Sequence, residues 1–282
     1  MTAYGAYINE GTMANEEVFN EIKSRCSANG ARIVMDTNPD SPEHYIKRDY
    51  INKADQKIIA QFSFSLDDNT FLSERYKNSI KVATPSGMFF DRDIKGLWVT
   101  AEGIVYQDFD AGKHYIYSLK EYKFIKYYCG VDWGYEHFGC ICLFGETEDG
   151  EVVLIREWSA QHQDINYWVG IAKQIKIAYG NIPFYCDTAR PEHLATFMQN
   201  GINTIGANKS VLSGIEMVAT LFKTNKLKVY YPGVKLFREE IYKYVWNKKS
   251  GEPVKIDDDC MDTVRYAIYT RFTPSGVGIL KN

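Results

Sequence analysis

Three aspartates stand at positions where predicted strands and a helix could bring them together for chemistry. Asp132 follows an alternating run, 127–131, that predicts a buried strand, and the Trp-Gly pair after it turns the backbone sharply. Asp187 follows the apolar run 182–186, and Asp262 lies early in a helical pattern that starts near Asp258. A lone Asp before a turn usually caps that turn. Three acids in comparable settings raise the question of whether they meet.

These acids would converge if their elements belong to one α/β layer. The ends of adjacent central strands lie about 5 Å apart, which would bring Asp132 close to Asp187. The last helix must bury its apolar side on the sheet, so Asp262 would face the strand ends, with Asp258 and Asp259 on the same side of that helix. Carboxylates gathered in this way repel one another unless a cation neutralises them. Oxygen ligands without nearby His or Cys favour Mg²⁺ or Mn²⁺, and two such ions can hydrolyse a phosphodiester.

Each acid also has an alternative, structural role. Asp187 could cap the turn before Pro191, and Asp262 could hydrogen-bond Arg265. The acids 257–259 could be a run favoured by the dipole at the start of a helix. Spacing does not choose between the two roles for any single acid, but the three together favour a site.

The charge of the chain is unevenly spread. Its net charge is -3, which argues against a general nucleic-acid binder. Residues 201–255 nevertheless contain ten Lys or Arg against four Glu, and this basic stretch leads into the acidic cluster. Such a pattern suits a site that holds both phosphates and metal, although a solvated helical face is the alternative. Lys248 and Lys249, on a predicted loop at 247–251, are expected to steer a phosphate backbone.

Cysteine usage and hydropathy indicate where the protein works. Six cysteines form no C-x-x-C pair, and most lie in apolar strands where a reduced thiol packs as a small hydrophobe. This predicts a cytoplasmic location. The amino terminus carries no signal pattern and no apolar run is long enough for a membrane span, so no membrane association is expected.

The order of predicted elements gives two α/β units. Up to about residue 110, strands are predicted at Gly5–Ile8, Arg32–Met35 and Ile58–Leu66, with helices at Ala14–Arg25 and Ser73–Lys81. The second unit begins with an antiparallel meander and continues as alternating helices and strands, giving a mixed sheet flanked by helices. Its predicted strands are Lys126–Asp132, Phe138–Phe144, Glu151–Trp158, Ile182–Cys186 and Leu227–Tyr230; its predicted helices start at Asp164 and Pro191 and span Val211–Lys223, Val234–Trp246 and Asp258–Arg271.

Three segments of the second unit resemble the nuclease motifs of the large terminase subunit of tailed bacteriophages, the motor and nuclease that packages DNA. Gly130–Gly134 resembles the first nuclease strand, Tyr185–Glu192 the second acidic motif and Asp259–Ala267 the third. Related proteins often carry a His three residues before the last acid, where this chain has an Asp, which leaves metal number and pH dependence open. The resemblance implies a ribonuclease H-like fold whose metal ligands are Asp132, Asp187, Asp262 and Asp259.

The first unit resembles the end of the ATPase domain of the same family. Tyr7–Glu10 is similar to the Walker B strand, which implies Glu10 as a catalytic residue, although Asn9 replaces the usual Asp. Thr37–Pro39 resembles the motif that couples hydrolysis to movement, and residues 96–106 resemble the segment leading into the nuclease. No G-x-x-x-x-G-K-[ST] loop occurs in the sequence, so ATPase activity is not expected of this chain alone.

The resemblance therefore implies a partial P-loop-type ATPase segment with its linker at 1–112, and a ribonuclease H-like nuclease domain at 113–282. The expected activity is Mg²⁺- or Mn²⁺-dependent endonuclease cleavage of double-stranded DNA during phage DNA packaging, in a bacterial cytoplasm. A portal protein and a small terminase subunit are the expected partners. Two alternatives stay open: another ribonuclease H-like nuclease such as a resolvase, and a catalytically silent assembly module whose carboxylates hold a structural ion.

Overall fold

The computed structural model describes residues 2–273, and the contacts among them divide the chain into two units. The first contains the described residues up to Glu102 together with Lys248–Gly251. The second runs from Gly103 to Asn247 and resumes at Glu252. The biochemical identity of each unit stays a prediction.

The first unit begins with the strand, helix and strand that the sequence predicts. Strands β1 (Gly5–Ile8) and β2 (Arg32–Met35) pair in parallel, and α1 (Glu16–Arg25) connects them. The helix begins where the Asn15 side chain accepts a hydrogen bond from the Glu17 amide. It buries Phe19 against Tyr45 and Ile46. The remaining elements are α2 (Glu74–Ala83), two π-helical segments (Ile46–Tyr50 and Phe90–Ile94) and three 3-10 turns (Gly11–Met13, Ile51–Lys53 and Leu66–Asp68).

The strand predicted at Ile58–Leu66 is wrong. Most of this segment is irregular, and Leu66 begins a 3-10 turn. The Asp55 carboxylate accepts hydrogen bonds from the amides of Lys57, Ile58 and Ile59, which closes a local turn. Alternation alone does not make a strand unless a neighbouring strand supplies hydrogen bonds. Among the described residues, the sheet of this unit contains only β1 and β2.

A seven-stranded mixed sheet organises the second unit and confirms the predicted fold class. Strands β4 (Phe124–Asp132), β5 (Gly139–Thr147) and β6 (Val152–Ala160) form the predicted antiparallel meander, while β7 (Phe184–Cys186) joins β4 in parallel on its other side. Two short strands, β3 (Tyr115–Ile116) and β8 (Thr204–Gly206), lie at the edges and have no counterpart in the sequence prediction. With β9 (Leu227–Tyr230), the order across the sheet is β3-β9-β6-β5-β4-β7-β8.

Helices cover both faces of this sheet, as strand alternation requires. They are α3 (Ala111–His114), α4 (Ile165–Tyr179), α5 (Pro191–Gln199), α6 (Val211–Lys223), α7 (Leu236–Glu240) and α8 (Asp259–Phe272). Cys129 and Val131 of β4 join an apolar core with α4 and α5. Gly130 lies between them in sequence and faces α8, which packs against β4, β5 and α6. No described helix has the length and apolarity that a membrane crossing needs.

The helix predicted at Val234–Trp246 is largely wrong, because only α7 forms within it. The chain then leaves the helical path to pair with residues of the same unit. Val245 forms an antiparallel bridge with Ile104, and the Trp246 amide donates to the Gly103 carbonyl at 2.9 Å. These distant hydrogen bonds override a helical pattern that was correct only locally.

Candidate metal centre

Asp132 and Asp187 follow directly on paired residues of two adjacent parallel strands. Val131 of β4 lies opposite Cys186 of β7, and the Asp187 amide donates to the Val131 carbonyl at 2.9 Å. The Trp133 indole donates to the Asp187 carbonyl at 2.8 Å, which ties the two strand ends together beyond the ladder. Both acids therefore lie at the carboxyl edge of the sheet centre.

Helix α8 brings Asp262 to the same edge because Gly130 leaves it room. A Cβ atom added to Gly130 would lie 2.3 Å from the Thr263 carbonyl oxygen and 2.9 Å from the Ala267 Cβ, so helix and strand are in backbone contact. Asp262, next to Thr263, is buried. Burial and the charges of Asp262, Asp187 and Asp259, in that order, raise the pKa of Asp132 well above its usual value. The acids are thus close enough to repel one another.

Three cations neutralise two of these acids. Lys209 approaches Asp187 at 2.6 Å. Lys255 approaches Asp262 at 3.1 Å, and Arg265 pairs with the same carboxylate at 2.8 Å. Asp132 forms no ion pair with any residue between 2 and 273.

Arg265 also connects Asp262 to the loop that carries Lys209. Its guanidinium donates to the backbone carbonyls of Lys209 and Ser210, each at 3.1 Å, just before α6 begins. It is almost fully buried, and α6 approaches it so closely that a Cβ on Gly214 would lie 2.7 Å from its Cγ. Asp262 on α8 is therefore linked through Arg265 to the loop that presents Lys209 to Asp187.

The structural roles considered for these acids are also realised. The Asp187 carboxylate accepts a hydrogen bond from the Ala189 amide at 3.2 Å, and Asp262 pairs with Arg265 as its alternative role requires. Among residues 2–273, no three of these aspartates have carboxylate oxygens within 4.8 Å of one another. Three cysteine thiols elsewhere do lie that close together. Acids that repel and are drawn toward ammonium groups do not close on one another without a stronger cation.

Asp259 lies beside the three acids. Its surroundings show that the expectation of no His or Cys near the acids is wrong. It accepts a hydrogen bond from the Phe138 amide at 3.2 Å. Burial and the neighbouring Asp258 raise its pKa to about 6, against a smaller opposing influence of His137. Cys140, opposite Asp132 in the β4–β5 ladder, adds to the raised pKa of Asp132. The acids therefore have both a His and a Cys nearby, contrary to the sequence-based expectation.

Glu10 and the basic loop belong to the first unit. Glu10 follows β1, is exposed and has a left-handed backbone with φ of 52°. Two residues after it, the Thr12 amide donates to the Thr37 hydroxyl at 2.9 Å, so the chain just beyond the Walker B-like segment contacts the coupling-like segment. Lys248 pairs with Glu102 at 3.1 Å. The cations that the structure brings to the acids are instead Lys209, Lys255 and Arg265.

Glu240 is a residue of this region that the sequence reasoning missed. It is 1% exposed, and one carboxylate oxygen accepts hydrogen bonds from the amides of Cys260 and Met261 at 2.8 and 3.2 Å, in the first turn of α8. Burial raises its pKa to about 9, so it is protonated at neutral pH. No sequence signal marks it, because a Glu in the middle of a basic stretch reads as a surface residue.

The raised pKa values predict that the metal-free chain loses stability as pH rises. A carboxyl group whose pKa is higher in the folded state stabilises the fold fully below its unfolded pKa, about 4, and loses this contribution as pH rises through the folded pKa. That pKa is about 6 for Asp259 and about 9 for Glu240. Each pH unit within such a window removes up to about 1.4 kcal/mol per group. Urea unfolding midpoints measured with chelator from acid to alkaline pH should fall accordingly.

The variant Glu240→Gln isolates the contribution of Glu240 to this dependence. Gln cannot ionise, yet its carbonyl oxygen still accepts from the two α8 amides. Its unfolding midpoint should match the parent chain below about pH 4, where both side chains are neutral in the folded and the unfolded chain, and fall less from there up to the folded pKa of about 9. An unchanged slope would show that Glu240 does not hold its proton in the folded chain.

Comparisons with known proteins agree with this architecture. No protein-family model and no curated protein matches the sequence. The large terminase from a thermophilic bacteriophage, solved in complex with ATP-γ-S, is 29% identical with a TM-score of 0.84; the match covers 96% of this chain and 70% of that chain. The P22 large terminase nuclease domain is 19% identical with a TM-score of 0.51, over 60% of this chain and 96% of that one, and supports the fold alone.

A third structure, the nuclease domain of the SPP1 large terminase with bound Mn, matches at 15% identity with a TM-score of 0.47 over 59% of this chain and 98% of that one. Its TM-score is too low for its metal to inform this chain. The fold class and the motif-based recognition, by contrast, rest on the match to the thermophilic phage enzyme, which spans both units of this chain. The structural neighbours of this protein are therefore the large terminases of bacteriophages.

Proposed function

We propose that this chain is a Mg²⁺- or Mn²⁺-dependent endonuclease that cuts double-stranded DNA during phage DNA packaging. The observation that carries the proposal is the convergence of Asp132, Asp187 and Asp262 from two strand ends and one helix. These carboxylates stand on separate chain segments, and Asp262 and Asp187 are close enough to Asp132 to raise its pKa, beside the larger effect of burial. The likeness to the large terminase of the thermophilic phage, over nearly the whole chain, supports the same assignment.

The residues fit a hard divalent cation by the chemistry of their donors. Asp132 forms no ion pair with a described residue, and burial together with the surrounding acids raises its pKa, so a cation among the acids relieves their repulsion. Asp132, Asp187 and Asp262 would hold the metal, with Asp259 assisting. When bound, a pair of such ions supplies an activated water and stabilises the leaving oxygen of a phosphodiester.

The lysines of the site have two roles in this proposal. Before a metal binds, Lys209 and Lys255 neutralise Asp187 and Asp262. With DNA present, their ammonium groups are the nearest positive charges for a backbone phosphate. A portal protein and a small terminase subunit would be the partners during packaging, in the host cytoplasm.

Metal titration against several DNA substrates tests the proposal. The chain is incubated with supercoiled plasmid, linear duplex or a branched junction while Mg²⁺ or Mn²⁺ is added from zero. Cleavage of plasmid and linear duplex that stops on chelation is the expected result. Cleavage confined to the junction would favour a resolvase-like nuclease, and thermal stabilisation by metal without any cleavage would favour a silent assembly module.

Lys255→Met is expected to tighten Mn²⁺ binding about two- to fivefold. In the parent chain Lys255 bridges Asp258 and Asp262 at 3.3 and 3.1 Å, and an incoming ion must compete with its ammonium group. Partly exposed pairs of this kind contribute up to about 1 kcal/mol, which sets the size of the effect. Isothermal titration with Mn²⁺ measures it.

Lys243→Met is the matched control for this measurement. Lys243 pairs with Asp257 at 3.3 Å, and both side chains of that pair are more than half exposed. Its loss should leave the Mn²⁺ affinity unchanged. If Lys255→Met weakens Mn²⁺ binding instead, Lys255 supports the metal and does not compete with it.

A further inference from the structure

Three buried thiols converge between the sheet and α8. Cys140 and Cys142 lie two residues apart on β5 and therefore on the same face, and Cys260 lies in the first turn of α8. The sulfur atoms of Cys140 and Cys142 are 3.6 Å apart, and those of Cys142 and Cys260 are 3.7 Å apart. All three sulfurs lie within 4.8 Å of one another, and none of the three residues is exposed to solvent.

Two buried glutamates border the thiols. Glu157, opposite Cys142 in the β5–β6 ladder, has a carboxylate oxygen 3.6 Å from the Cys260 sulfur. Glu240 accepts hydrogen bonds from the Cys260 and Met261 amides with one oxygen, while its other oxygen is buried without a hydrogen-bond partner. Neither glutamate forms an ion pair with a described residue. The Glu157 carboxylate, however, accepts hydrogen bonds from the amides of Lys235, Leu236 and Phe237, and burial raises the pKa of Glu240 to about 9, which keeps it neutral. The glutamates therefore do not require a cation, and only the three thiols point to a metal site.

The spacing of the three thiols matches a thiolate metal site. Zinc–sulfur bonds of about 2.3 Å in tetrahedral geometry separate two sulfur ligands by about 3.8 Å. The Cys140–Cys142 and Cys142–Cys260 sulfur separations agree with this value. Thiolates select soft or borderline cations, whereas Mg²⁺ and Mn²⁺ prefer oxygen.

We propose that Cys140, Cys142 and Cys260 form a second metal site that takes a thiophilic divalent cation such as Zn²⁺. Binding releases the thiol protons to solvent, and the ion joins β5 to the first turn of α8. Cys260 lies two residues before Asp262, so the ion also fixes the end of the helix that carries this acid. This proposal does not depend on the proposed DNA cleavage or on metal binding by the aspartates.

The whole chain, produced with added zinc and purified without chelator, tests this site. Zinc content should be close to one ion per chain, and X-ray absorption at the zinc edge should show mainly sulfur neighbours. Zinc bound through oxygen and nitrogen alone, or no bound zinc, would overturn the proposal. This readout uses the parent chain and does not depend on any variant folding.

Substitution of single cysteines adds a second, independent readout. Cadmium added alone should produce an ultraviolet cadmium–thiolate charge-transfer band that Cys142→Ala loses in large part. Cys129→Ala is the matched control, because Cys129 is equally buried but belongs to the core on the opposite face of the sheet. It should keep the full band. Equal bands in the two variants would remove the assignment of the site to this cluster.

Discussion

Replacing Asp132 by Asn is expected to lower metal-dependent DNA cleavage by more than about a hundredfold while leaving the chain folded. Groups that merely orient a metal ligand are worth about ten- to a hundredfold, and Asp132 is proposed as a ligand itself. Asn keeps the shape of the side chain but loses one anionic oxygen. Because burial and the neighbouring acids already raise the pKa of Asp132, removing its charge also relieves repulsion in the metal-free chain.

The stability and the activity of this variant should therefore move in different directions. Its urea midpoint in chelator should equal or exceed that of the parent chain, while its plasmid cleavage in Mn²⁺ is lost. Asp149→Asn serves as the control, since Asp149 is an exposed turn residue that accepts a hydrogen bond from Thr147. Full cleavage by Asp132→Asn, measured beside that control, would remove Asp132 from the site.

Much of the site could be predicted because strand ends are encoded locally. The alternating residues of β4 and the apolar residues of β7 define where each strand ends: Asp132 is the last residue of β4, and Asp187 directly follows β7. Parallel pairing of the two strands then brings these acids to one edge without further information. The helical period of α8 predicted the burial of Met261, Val264 and Ile268, but it did not predict that every residue from 260 to 268 is buried. Local pattern was sufficient wherever the partner was a regular element.

The cations and thiols around the acids could not be predicted, because they are related only through space. Lys209 was one of ten basic residues in its stretch, and its backbone is held by Arg265, 56 residues further along the chain. The thiol of Cys260 meets that of Cys142 across a separation of 118 residues. The strand predicted at Ile58–Leu66 is wrong for the opposite reason. Its residues alternate, but among the described residues no neighbouring strand pairs with them.

Gly130→Ala is expected to lower both the stability of the second unit and DNA cleavage. The new methyl group would lie 2.3 Å from the Thr263 carbonyl oxygen and 2.9 Å from the Ala267 Cβ, inside van der Waals contact with the helix itself. A flexible side chain could move aside, but the first of these atoms belongs to the backbone of α8, so the helix must shift. Overpacking of this kind costs about 1–3 kcal/mol in unfolding free energy. Asp262 shifts with the helix, so cleavage should fall even under conditions where the variant is folded.

Gly170→Ala separates this steric effect from the general effect of a methyl group. Gly170 lies within α4, and a Cβ added there meets nothing within 4 Å. Ala in a helix interior is about 0.5–1 kcal/mol more favourable than Gly, so this variant should be slightly more stable and fully active. Urea midpoints and plasmid cleavage rates of the two variants, measured side by side, give the comparison. If Gly130→Ala kept the parent midpoint and the parent rate, close contact between α8 and β4 would not be what holds Asp262 at the strand ends.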